Sequence, residues 1–241
     1  MKSFFMALQF LSRLTVVKQT TWSDADFGRS VVWFPLVGTL LGAVLCLLYH
    51  ALGYVFSGLL LSLLVTAAWF WLTGGLHADG YMDTADGIFS GRSRERMLVI
   101  MKDSRVGANG VIAFFFLAAF KLVSINTIAP ATLPYVLLSV PTAARYGTLV
   151  SIFCFPYARE TGLGRTFALY GPSYPLVRAL IPALLPIVFV GPAHLLYLGG
   201  AVLISLLANR QLVRLLGGTT GDTYGAVLEF TELLLLLAAA A

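Results

Sequence analysis

Asp79, Asp83 and Asp86 stand four and three residues apart in the stretch GGLHADGYMDTADG, residues 74–87. In a helix each residue turns by about 100°, so these carboxylates fall within roughly 60° on one face. Like charges at that spacing repel, and solvent or a cation has to relieve the repulsion. Hard cations such as Mg²⁺ take oxygen ligands, commonly one or two carboxylates plus substrate phosphates. The spacing makes Asp79, Asp83 and Asp86 candidate metal ligands and candidate catalytic residues, with Asp83 the first choice as proton acceptor. His77, two residues before Asp79, is the alternative acceptor. Asp103 follows in IMKDSRVGANG between Lys102 and Arg105. The two cations would bind non-bridging phosphate oxygens, and Asp103 would complete the metal shell or orient Lys102. Gly75 and Gly80 would let backbone approach a bulky substrate. Asp222, in GGTTGDTYGA at 217–226, suits a helix cap or a substrate loop. A solvated turn accounts for an isolated Asp-rich loop as well. Here Asp222 is the only other aspartate after position 103, which favours a purpose for the crowding.

The elements that must position these groups follow from composition. Hydrophobic residues make up 59% of the 241, and charged residues 11%, against roughly 25% in a soluble domain. The expected fold is all-α: a polytopic membrane bundle of six to seven transmembrane helices plus an N-terminal interfacial helix. Apolar runs at 31–49, 51–76, 107–128, 134–153, 176–190, 194–209 and 226–241 supply the spans. The fifth is Pro-rich, hence kinked or short. Phe4–Val17 sets Phe4, Leu8, Leu11 and Thr15 on one side, opposite Gln9 and Arg13, as an interfacial helix does. No small-residue cleavage pattern follows it. There is no internal repeat or linker, so 1–241 reads as one domain.

Fourteen of the sixteen Lys and Arg residues lie in alternate loops, among them Lys18, Arg29, Arg159 and Arg178. The positive-inside rule puts those loops, and the acidic segment, in the cytoplasm. The +5 charge is thereby a topology signal, and no nucleic-acid partner is needed to explain it. Lys121 and Arg145 fall inside spans, where a cation costs roughly 3 kcal/mol; each either snorkels or pairs. Glu229 and Glu232 share a helical face and are candidate partners. His50 and His194, at the opposite ends of spans, read as interfacial. Cys46 and Cys154 read as small packing residues.

The stretches RSVVWFPLVGTLLG at 29–42, GGLHADGYMDTADG at 74–87 and IMKDSRVGANG at 100–110, with ARETGLG at 158–164 and GGTTGDTYGA at 217–226, carry a resemblance over nearly the whole chain. It resembles the cobalamin synthase family, the adenosylcobinamide-GDP ribazoletransferases. The resemblance implies a Mg²⁺-dependent enzyme of a bacterial or archaeal cytoplasmic (inner) membrane. Its substrates would be adenosylcobinamide-GDP and α-ribazole or α-ribazole 5′-phosphate, joined to give adenosylcobalamin or its 5′-phosphate with release of GMP. Membrane lipid is the implied surround, and a homo-oligomer is left open. Two other readings are weaker. A CDP-alcohol phosphotransferase-like enzyme would need an Ala-Arg element and wider spacings than DGYMDTADG offers. A transporter would use Lys121, Arg145 and the broken fifth span, and would leave the cytoplasmic acids without a purpose.

Overall fold

The computed structural model describes residues 2–17, 21 and 23–241; Lys18 lies outside them. The described residues are helical, apart from turns and one isolated bridge between Tyr157 and Thr219. In chain order the helices are α1 (Lys2–Leu11), α2 (Asp24–Ser30), α3 (Phe34–Gly53), α4 (Gly58–Leu72), α5 (Leu76–Phe89), α6 (Arg94–Ile100) and α7 (Ala108–Thr127). Then come α8 (Leu133–Phe153), α9 (Leu163–Tyr170), α10 (Pro175–Ala183), α11 (Ile187–Val190), α12 (His194–Leu216) and α13 (Gly221–Ala240).

Five helical stretches are each long and apolar enough to cross a bilayer: Asp24–Gly53, which joins α2 to α3, and then α7, α8, α12 and α13. Two bent pairs bring the total to seven. One is α4 with α5, meeting at 88°; the other is 164–170 with 175–190, meeting at 105°. In the first pair α4 carries most of the apolar run, and α5 packs across the starts of α7 and α13. Gly74 and Gly75 make the bend between them with φ of 66° and 74°, a region closed to most L-residues. In the second the bend falls at 171–174; farther along, Pro182 lies inside α10 and Pro186 stands at the N-cap of α11, so the Pro-rich run is short-helical, as its composition predicts.

Several boundaries differ from the apolar runs. The second span begins at Gly58, not near 51, because α3 continues to Gly53. The sixth extends to Leu216, and the last starts at Gly221 with a capping box between Thr220 and Thr223. The N-terminal helix stops at Leu11, short of Val17. There Ser12 Oγ donates to the Leu8 carbonyl, and Arg13 N–H donates to Leu72 O at 2.8 Å. Met6, Ala7, Leu8 and Leu11 are buried. The α1 helix is therefore built into the bundle against α2 and α3, not simply laid on the membrane surface.

The tightest pairing is α3 on α8. Gly38 and Gly42, four residues apart, meet the α8 backbone at Pro141 and Leu137, a small-xxx-small approach of the kind that lets membrane helices close on one another. Thr39 and Thr142 add a hydroxyl pair at 3.0 Å.

Deeper in the bundle is a sealed ionic cluster. Lys121 Nζ on α7 donates to Glu229 Oε2 at 2.5 Å and Glu232 Oε2 at 2.6 Å on α13. Arg145 Nη1 on α8 donates to Glu232 Oε1 at 3.0 Å. None of the four is more than 1% exposed. Lys121 also lies over the Trp69 ring, 4.9 Å from its centroid. Two cations thus balance two acids, as membrane burial demands; Lys121 and Arg145 pair and do not snorkel. His194 is a correction to its interfacial reading: it is fully buried, with Nε2 2.8 Å from the Ala183 carbonyl, and it ties α12 to α10.

Candidate active site

The acidic stretch is helical, and α5 packs chiefly on α13 and α7. Its contact with α13 depends on Gly80. A Cβ there would sit 2.6 Å from the Asp222 carbonyl oxygen. Gly80→Ala is expected to push the two helices apart and cost about 1–3 kcal/mol, measured by thermal unfolding in detergent. An unchanged melting temperature would contradict the packing role. Gly75 forms the αL N-cap of α5 and lines a cleft on its outer side.

The three carboxylates have separate surroundings. Asp79 is exposed and borders a cavity of about 170 Å³. His77, Gly80 and Asp222 also border it, over a floor that includes Phe10, Phe34 and Phe167. Asp83, one turn on, is half-buried. Asp86 is buried and committed: its oxygens accept N–H bonds from Gly107 at 2.7 Å and Gly110 at 2.8 Å. It caps α7, whose N-cap residue Gly107 has no side chain to do so. Among the described residues, no three His, Cys, Asp or Glu side chains are grouped to hold a metal ion. A helical face brings acids to one side; it does not make them converge.

Electrostatics single out Asp83. Burial, then the charges of Asp79, Asp222 and Asp86, push its carboxyl up to about 7, and Arg159 only partly offsets this. The sign for stability follows. A carboxyl raised in the folded state favours folding below its unfolded value near 4, and that contribution is lost as pH rises through about 7. Metal-free protein is expected to melt at lower temperature at pH 8 than at pH 5, with Asp83→Asn reducing the drop. An equal drop in the variant would remove Asp83 as its cause. His77 is buried, and desolvation, with Arg145 and Lys121 nearby, holds its pKa well below the usual histidine value. Its ring is therefore neutral, and Nδ1 has no hydrogen-bond partner.

The basic residues divide. Asp103 and Arg105 satisfy each other through bonds of 2.9 and 2.6 Å, and this pulls the Asp103 carboxyl down to about 2. Lys102 is exposed and borders a separate cleft with Arg159. Arg159 is the residue that sequence reasoning passed over. Its Nη2 lies 2.8 Å from Asp222 Oδ2. The Tyr157–Thr219 bridge sets that contact: Ala158 N–H donates to Thr219 O, and Thr219 N–H to Pro156 O, each at 2.8 Å. The available signal was ARETGLG, where the positive-inside rule had already accounted for the arginine.

A polytopic helical bundle that gathers carboxylates, a guanidinium and a neutral imidazole at one end has the makings of an integral-membrane transferase for anionic substrates. The chain belongs to the cobalamin-5-phosphate synthase family, whose model matches residues 3–240. It is similar to the adenosylcobinamide-GDP ribazoletransferase of Acetivibrio thermocellus, 36% identical over 239 residues, covering 98% of this chain and 96% of that protein. The protein of the same name from Citrobacter koseri is 39% identical over 245 residues, covering 98% of each chain. That from Brevibacillus brevis is 38% identical over 250 residues, covering 98% and 97%. No solved structure matches. The chain is thus a multi-pass membrane transferase of cobalamin synthesis.

Proposed function

We propose that the protein joins adenosylcobinamide-GDP to α-ribazole or its 5′-phosphate, in a Mg²⁺-dependent reaction at the cytoplasmic face of a cytoplasmic membrane. The observation that carries this reading is the placement of Asp79 and Asp222 on the rim of one aromatic-floored cavity, with Asp83 near enough to feel the charge of both. The flat base of ribazole suits a floor of Phe10, Phe34 and Phe167. Its ribose hydroxyl then points to the carboxylate rim. The hydroxyl oxygen attacks the corrinoid-side phosphorus, and the bond from that phosphorus to the bridging oxygen breaks. GMP leaves with the bridging oxygen.

Asp83 accepts the hydroxyl proton. Without the ion, burial and its acidic neighbours raise this carboxyl to about 7; Mg²⁺ on Asp79 and Asp222 would lower it and keep it ionised, ready to take a proton at neutral pH. His77, neutral and bordering the cavity, is the second candidate. The donor set suits a hard cation: the carboxylates of Asp79 and Asp222 border the same cavity, and oxygen ligands of this kind are what such an ion takes. Asp79 and Asp222 would hold Mg²⁺, with substrate oxygens completing the shell that the protein leaves open. Bound there, the ion would neutralise charge developing on the diphosphate. Asp86 keeps the α5–α7 junction in register. Lys102 would reach a diphosphate oxygen from the basic loop; Arg105 would do so only by leaving Asp103.

The test is GMP release by protein in nanodiscs. Release should require both substrates and Mg²⁺. Its absence in folded, bilayer-embedded protein would reject this chemistry, and CDP-alcohol substrates would be tried next.

A further inference from the structure

The departing nucleotide needs a place to bind. Beside the acidic site lies a cleft of about 310 Å³, between α6 and residues 159–161. Leu98 and Val99 give it an apolar wall; Lys102, Arg159, Glu160 and Thr161 supply the polar groups. Arg159 faces both sites. It pairs with Asp222 and also lines this cleft. Its Nη2 is turned to Asp222 at 2.8 Å and, like Nε, is closed to solvent. Nη1 makes no hydrogen bond among the described residues, so a guanidinium anchored on one side keeps a donor for a phosphate on the other. Lys102 has no ion-pair partner among the described residues. Glu160 adds an acceptor-only group at the same cleft. Guanine presents N1–H and N2–H donors side by side, which a carboxylate accepts, whereas adenine presents an acceptor at N1.

We propose that this cleft is the subsite for the leaving guanosine monophosphate. Arg159 and Lys102 hold its phosphate, Leu98 and Val99 support the base, and Glu160 recognises the guanine edge. The proposal rests on the GDP-substrate reading above. Asp222 holds Arg159 at the junction of the two sites until a phosphate arrives, so the guanidinium is already in position.

The experiment measures GMP and AMP binding to nanodisc-embedded protein by calorimetry with Mg²⁺, and GMP product inhibition during turnover. Wild-type protein should bind GMP at least tenfold more tightly than AMP. Glu160→Gln should bring GMP to the level of AMP. Lys102→Ala and Arg159→Ala should weaken both nucleotides by a similar factor, tenfold or more, with Arg159→Lys recovering part of the loss. Glu160 and Lys102 are exposed, so their variants keep the fold and keep the test decisive if Arg159→Ala does not. Active protein whose GMP binding and inhibition are unchanged in all these variants overturns the subsite and leaves the transferase reading intact. Equal wild-type affinity for GMP and AMP overturns the role of Glu160. Failure of folded wild type to release GMP from the two substrates overturns the underlying reading instead.

Discussion

Asp83→Asn is expected to reduce GMP release by about 10²–10⁴-fold, the range for loss of a general base. The amide keeps the shape of the side chain and removes its ability to take a proton. The loss should fall on kcat, with KM for adenosylcobinamide-GDP little changed. Mg²⁺ affinity should fall only modestly, because one neighbouring negative charge is lost while Asp79 and Asp222 remain to hold the ion. Wild-type kcat/KM should rise with pH until the base is fully ionised, while the residual activity of the variant should be flat over the same range. Near-wild-type turnover by the variant would exclude Asp83 and move the assignment to His77. A large rise in the Mg²⁺ dissociation constant would instead make Asp83 a ligand.

Glu232→Ala should be the most destabilising single change in the bundle, by about 3–5 kcal/mol. Glu232 receives bonds from both Lys121 and Arg145, so its loss leaves two buried cations with only Glu229. Thermal unfolding in detergent measures the effect. A fourfold variant, Lys121→Met, Arg145→Met, Glu229→Leu and Glu232→Leu, should lose much less, because it leaves no charge unpaired. Comparable losses in the two would show that packing, not charge balance, is at stake.

The membrane architecture was readable because crossing a bilayer needs a long apolar run, which composition alone reveals. The pairing of Glu229 and Glu232 with span cations was readable for a related reason: a charge inside a membrane must find its opposite. Other features were set by partners far away in sequence. Spacing puts Asp86 on the face of Asp79 and Asp83, yet only the approach of α7 brings its oxygens to Gly107 and Gly110. The first helix ends where Arg13 meets Leu72, a contact that no local pattern contains. Gly38 and Gly42 stood in a quoted motif, but their use required α8 to be seen against them. Arg159 was hidden by a sufficient simpler explanation. One loop arginine among many acquires a role only when the Tyr157–Thr219 bridge delivers it to Asp222.

The ionic cluster also sets a timetable for biogenesis. Arg145 precedes its acid by 87 residues, and Lys121 precedes Glu229 by 108. At about 5–20 residues per second, the ribosome needs roughly 4–17 s to make those 87 residues. During that interval α7 and α8 have already emerged, with basic groups that the lipid interior disfavours. They must wait at the translocon or in a hydrated intermediate until α13 is made. Insertion and assembly are therefore separate events for this chain, and membrane quality control has a defined window in which to recognise an unfinished copy.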